Sequence, residues 1–236
     1  MKQLRNIKIY MTKIFIVACA LIVFQSILFN GGNIEAKAVT HDLSASEVKH
    51  IKKLVQRMNQ FEIYEINSNL RFSSEKLVKL TSRNMAQAAA LSISVKNLKE
   101  TGKKGDFGGN VTWKLTNSRL KSASKIIFGK SVTTAKLRKV KSESEIMFPA
   151  DVYRTAKGNP VVYYADAETE QDYSIIKISI SPINSDVYKV VKKFYLGYWG
   201  SNHGTPNYMA TYRVKKDSRS SYGYVIKNMK LTNISD

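Results

Sequence analysis

Soft side chains are scarce in this chain of 236 residues. It has one cysteine, Cys19, and three histidines, His41, His50 and His203. A lone thiol excludes an intramolecular disulfide, and with three histidines it leaves too few soft ligands for most zinc sites. Acid is short as well: 18 Asp and Glu stand against 38 Lys and Arg, a formal charge of +20. Hydrophobic residues make up 43% of the chain and charged residues 24%, the balance of a folded basic protein and not of a disordered tail.

The one long apolar run lies at the N-terminus. Lys2, Arg5, Lys8 and Lys13 precede Ile14–Phe29, where Gln25 and Ser26 are the only polar residues, and Ala36-Lys37-Ala38 follows. A basic segment, an apolar segment and an A-x-A site form the three-part pattern of a secretory signal peptide, cleaved after Ala38. Ile16-Val17-Ala18-Cys19 has lipoprotein-box residue types, but the apolar run continues past Cys19, whereas an h-region should precede the modified cysteine. An uncleaved anchor is the other reading, for which the run is somewhat short. Removal of residues 1–38 leaves 33 basic and 17 acidic residues, a charge of +16, and no cysteine. A cysteine nucleophile is thereby excluded, and an exported domain at 39–236 must rest on its hydrophobic core.

Residues 42–140 read as a helical half. Ser44 and Glu47 form a capping box, and Val48, Ile51, Leu54, Val55, Met58 and Phe61 recur at helical spacing behind it. A second helix is expected from Ser74, with Leu77, Leu80, Ala88, Leu91 and Leu98 on one stripe, then a glycine-bearing connector over 101–110. Val111–Leu115 reads as a short strand, and Asn117 or Ser118 as the cap of a third helix that ends at Gly129.

From residue 145 to 232 the period changes to two. Strands are expected over Ile146–Thr155, Pro160–Ala165, Tyr173–Ser181, Val187–Trp199, Tyr208–Lys215 and Tyr222–Leu231, with short connectors that imply antiparallel pairing. Helices first and a sheet of five to six strands second define an α+β class. The step Phe128-Gly129-Lys130 and the strand Tyr222-Gly223-Tyr224-Val225-Ile226-Lys227 resemble exported proteins of unknown function in Gram-positive bacteria. The element order is similar to NTF2-like or cystatin-like folds, and the resemblance implies export and a sheet wrapped on helices, with no chemistry attached.

Catalytic motifs are absent in any complete form. Gly129-Lys130-Ser131 lacks the upstream glycine and strand of a phosphate loop, and Asp106-Phe107-Gly108 has no H-R-D partner. Ser-x-x-Lys occurs five times in a chain rich in both residues, without Lys-Thr-Gly or Ser-Asp-Asn. A non-enzymatic protein without cofactor is expected.

Three features could bind. Asp166, Glu168, Glu170 and Asp172 could offer oxygen ligands to calcium, or form a solvated acidic turn paired with lysines. The loop 197–207 gathers Tyr198, Trp199, Asn202 and His203, which could stack on and hydrogen-bond a small ligand or glycan, or serve as a hairpin turn with Trp199 in the core. The basic residues, among them Lys136, Arg138, Lys139, Lys141, Lys192, Lys193, Arg213, Lys215 and Lys216, spell either solubility or an anion-binding patch. Eleven of the thirteen tyrosines lie between Tyr153 and Tyr224, which interleaves bases with aromatics as a single-strand nucleic-acid binder would. Export directs the expectation away from nucleic acid, toward anionic cell-wall polymer or the membrane surface.

Overall fold

The backbone was analysed in a computed structural model that describes residues 42–68, 74–94, 98–104, 111–141, 145, 150–154, 161–165, 171–198 and 204–235. The expected leader, residues 1–38, lies outside the described residues.

Helix α1 (Ala45–Gln56) starts at the capping box read from sequence: Ser44 Oγ accepts the Glu47 N–H at 3.2 Å, and Glu47 Oε2 accepts the Ser44 N–H at 2.9 Å. Its Ile51, Leu54 and Val55 are buried, but the stripe does not continue as one helix. A turn at Arg57 and Met58 leads into α2 (Asn59–Asn67), where Phe61, Glu62, Ile63, Glu65 and Ile66 are all buried. Burial on several sides removes the one-sided periodicity by which a surface helix is recognised.

The second expected helix divides. Residues Glu75–Val78 form strand β1, in which Val78 is buried and Leu77 is 65% exposed, and Thr81 then caps α3 (Ser82–Leu91). Four leucines at helical spacing misled because Leu77 and Leu80 precede the true cap. Ala86, Ala88, Ala89 and Ala90 are fully buried, so α3 approaches its neighbours closely. Part of the connector expected over 101–110 is strand β2 (Lys99–Lys104), paired antiparallel with β3 (Val111–Lys114). Helix α4 (Asn117–Phe128) is capped by Thr116, one residue before the expected caps, and ends at Gly129 with φ 71°. That left-handed C-cap is a conformation only glycine adopts without cost.

The six expected strands are β4 (Ala150–Arg154), β5 (Val161–Ala165), β6 (Gln171–Asn184), β7 (Val187–Tyr198), β8 (Tyr208–Lys216) and β9 (Tyr224–Asn233). They divide between two antiparallel sheets. One has the order β1-β9-β8-β7-β6 and the other β2-β3-β5-β4. The class is α+β. The helices cover one face of the five-stranded sheet, where Val190, Phe194, Tyr212, Met229 and Leu231 join Leu54, Met58, Phe61, Leu120 and Ile127 in one core. No helix among the described residues is long and apolar enough to cross a membrane.

Two polar clusters interrupt that core. Lys192, on the inward face of β7, is completely buried, a correction to its reading as a surface base beside Lys193. Its Nζ lies 2.6 Å from Glu62 Oε1 and donates to Asn59 Oδ1 at 2.8 Å and to the Val55 carbonyl at 3.2 Å. Tyr173 OH donates to Glu62 Oε2 at 2.7 Å, and Tyr212 OH donates to Glu62 Oε1. Burial pushes the Glu62 carboxyl and the Tyr173 phenol up and the Lys192 ammonium down, while the Lys192–Glu62 attraction opposes the shifts of those two ions. In the second cluster Asp151 of β4, fully buried, pairs with Arg138, accepts from Gln87 Nε2 of α3 at 2.9 Å and takes the Val152 N–H at 2.7 Å. Arg138 is therefore also a structural base.

Removing one partner of a buried ion pair strands the other charge, so Glu62→Gln should cost about 3–5 kcal/mol in denaturant unfolding. Adding Lys192→Met to it should cost much less than the sum of the two single changes, and strict additivity would refute the coupling. Glu47 supplies a separate acid-sensitive contribution. The Ser44 N–H, then the Tyr224 hydroxyl, hold its carboxyl down to about 2 from an ordinary 4.5. A depressed folded-state pKa gives stability that is present above 4.5 and is lost as pH falls toward 2. Thermal melts across that window should show a shallower acid limb in Glu47→Gln than in the parent.

Candidate anion-binding surface

The sequence-derived site residues scatter. Tyr198 is the last residue of β7, and Trp199, Asn202 and His203 lie outside the described residues. The far end of that loop is clamped: Asn207 accepts the Leu196 N–H at 2.9 Å and donates to the Leu196 carbonyl at 2.8 Å, a purely structural pairing. Asp166, Glu168 and Glu170 also lie outside the described residues, while Asp172 sits in β6 opposite Gly197. Among the described residues no three His, Cys, Asp or Glu side chains gather as a metal would require.

A different constellation emerges on the helix-free face of the five-stranded sheet. Strand alternation turns Val190, Lys192 and Phe194 inward, so Lys189, Val191 and Lys193 point outward. Register then builds three rows across the sheet. The first runs Ser181, Lys189, Arg213, Asn228; the second Ser179, Val191, Thr211, Lys230, Leu77; the third Lys177, Lys193, Met209, Thr232, Glu75. Lys177, Lys189, Lys193 and Arg213 are exposed and make no ion pair among the described residues. Lys230 pairs with Glu75 at 2.8 Å at the far edge.

Two of these contacts set like charges directly opposite each other: Lys189 faces Arg213, and Lys193 faces Lys177. Opposed like charges destabilise a sheet, and an uncharged or acidic residue at any of the four positions would relieve them. Five of the acids meanwhile are spent elsewhere. Glu62, Glu65 and Asp151 are buried against Lys192, Lys76 and Arg138, Glu47 caps α1, and Asp217 is committed to Arg219 in the β8–β9 turn. These five carboxylates are thereby committed away from the four cations, while Glu75 and Asp172 share the outward face at its two ends.

No family model, no curated protein and no solved structure matches this chain.

The outward set was partly foreshadowed by Ile176-Lys177-Ile178-Ser179-Ile180-Ser181, whose polar residues alternate with isoleucines. What periodicity does not carry is register, which decides that Lys177 meets Lys193 and not a serine. Relief of one opposed pair should be measurable. Lys193→Thr is expected to raise stability by about 0.2–1 kcal/mol at low salt, with the gain shrinking once the Debye length falls to a few ångströms near 1 M. Paired thermal melts at both salt concentrations check it; destabilisation at low salt would refute the repulsion.

Proposed function

We propose that this is an exported protein that acts by binding, not by catalysis, and that the cationic face of its five-stranded sheet associates with anionic polymer of the cell envelope. The observation that carries this reading is the pair of like-charge contacts, Lys189 with Arg213 and Lys193 with Lys177, kept exposed on one face. Charge held against its own repulsion fits an external counter-charge better than it fits solubility, which scattered charges provide without that cost. The spacing favours a polymer over a small anion. Four residues separate Lys189 from Lys193 along β7, so the two cation pairs stand about 13 Å apart at about 3.3 Å per residue. A small anion engages one pair, whereas a chain of repeated anionic groups engages both and gains from the second contact being intramolecular. The N-terminal export pattern directs the reading to the envelope.

Co-sedimentation of the protein with purified cell walls over a salt series tests it. Binding should fall steeply as salt rises, because exposed charges are screened within a Debye length of about 8 Å at physiological ionic strength. Replacing Lys177, Lys189, Lys193 and Arg213 together by Gln should abolish most of it while the protein remains folded by circular dichroism. Binding that is indifferent to salt, or intact in the fourfold variant, would overturn the reading.

A further inference from the structure

A second concentration of positive charge lies on the helical side of the molecule. A cleft of about 590 Å³ opens between the last turn of α1, the segment after α3, and α4, with Tyr222 from the β8–β9 turn at its margin. Its charged lining residues are Lys53, Arg57 and Arg119, with no carboxylate among the lining side chains. None of the three cations makes an ion pair among the described residues. Ser94 and Ser122 add hydroxyls, and Ile93, Ala123 and Ile126 supply apolar wall.

Two helices end at this cleft, since Arg57 is the C-cap of α1 and Ser92 that of α3. Their carbonyl ends would favour the cations already present, so the net sign needs deciding by magnitude. Each helix end counts as roughly half a negative charge, about one in total, against three full positive charges. The cleft stays positive by about two charges, enough for one doubly charged anion. Arg57 is also held in place. Its Nε donates to Tyr222 OH at 2.8 Å, and its guanidinium carbon stands 5.7 Å from the centre of the same ring. The two terminal nitrogens remain as a fork, and a planar fork matches a phosphate oxygen pair in a way that an ammonium does not.

We propose that this cleft binds the phosphate group of a polyol phosphate, with Arg57 and Arg119 on the phosphate, Lys53 as additional charge, and Ser94 and Ser122 toward the polyol hydroxyls. The serine hydroxyls and apolar wall beside the three cations favour an organic phosphate over the bare ion. The inference rests on the envelope-polymer reading and deepens it by naming a repeat unit that the polymer would carry. A glycerophospholipid headgroup presents the same chemistry, so the source is decided by experiment.

Calorimetric titration of the full chain with glycerol 3-phosphate, inorganic phosphate and vesicles containing phosphatidylglycerol separates the outcomes. Glycerol 3-phosphate is expected to bind more tightly than inorganic phosphate. Arg57→Gln and Arg119→Gln should each weaken it by about tenfold or more, the loss of a hydrogen bond to a charged group. Arg57→Lys, which keeps the charge and removes the fork, should fall between. The variant neutralised at Lys189 and Arg213 on the sheet should titrate like the parent, so failure of the sheet reading does not disturb this result. The proposal is overturned by no heat at about 10 mM glycerol 3-phosphate, by equal affinity for inorganic phosphate, or by cleft variants that bind as the parent does. In the variant neutralised at Lys177, Lys189, Lys193 and Arg213, vesicle binding that glycerol 3-phosphate does not compete away would equally overturn it, assigning the cleft surface to the membrane.

Discussion

Lys192 sits at the centre of the fold, and the orientation of the five-stranded sheet depends on what it is bonded to. An ammonium taken fully out of water costs several kcal/mol unless its charge and its protons are answered. Here Glu62, Asn59 and the Val55 carbonyl answer all of them from the helical layer, and the tyrosines 173 and 212 satisfy the remaining lone pairs of Glu62 from the sheet. An apolar residue at 192 would leave the placement of α1 and α2 on the sheet to side-chain packing alone. The ion pair allows one registration, because a shift of either layer leaves a buried charge without its partner. A one-residue slip of β7 would also turn Phe194 and Val190 out of the core.

The same interaction sorts the charges of the whole domain. With so few acids available, those committed to Lys192, Lys76 and Arg138 in the interior are withdrawn from the surface. Stability and surface character are therefore linked: the buried carboxylates hold the layers together and are not available to the cations of the outer face. Two carboxylates do share the outer face: Glu75, which pairs with Lys230 from β1, the strand furthest from the opposed pairs, and Asp172, near the start of β6.

Sequence periodicity reached far in this chain wherever an element had one wet and one dry side. The capping box at Ser44, the left-handed stop at Gly129 and the six C-terminal strands all carry local signals, a side-chain oxygen three residues before its donor, a glycine after a helical stripe, or an alternation of apolar and polar residues. Failures occurred where the signal was non-local. Glu75–Val78 is a strand because β9 offers it an edge 151 to 157 residues later, and nothing within the segment announces that edge. Helix α2 is buried on several sides and so shows no stripe. Lys192 looked like half of an exposed Lys-Lys pair, although the alternation of Val190, Lys192 and Phe194 did mark it as inward. The division of the strands between two sheets was invisible, since both share the same alternation.

Topology then explains how a diffuse charge becomes a surface. Strands β6 to β9 form a meander, so each pairs with the next along the chain and long-range segments need not cross. Lys177, Lys189, Lys193 and Arg213 come from three successive strands, and the two hairpins fold them side by side. Two basic residues 24 positions apart, Lys189 and Arg213, thereby become direct neighbours. A charge of +16 spread evenly over a domain would aid solubility and little else. Where register brings four of the cations together on one face, a share of that charge acquires a direction, and a directed field concentrates anions where a diffuse one does not.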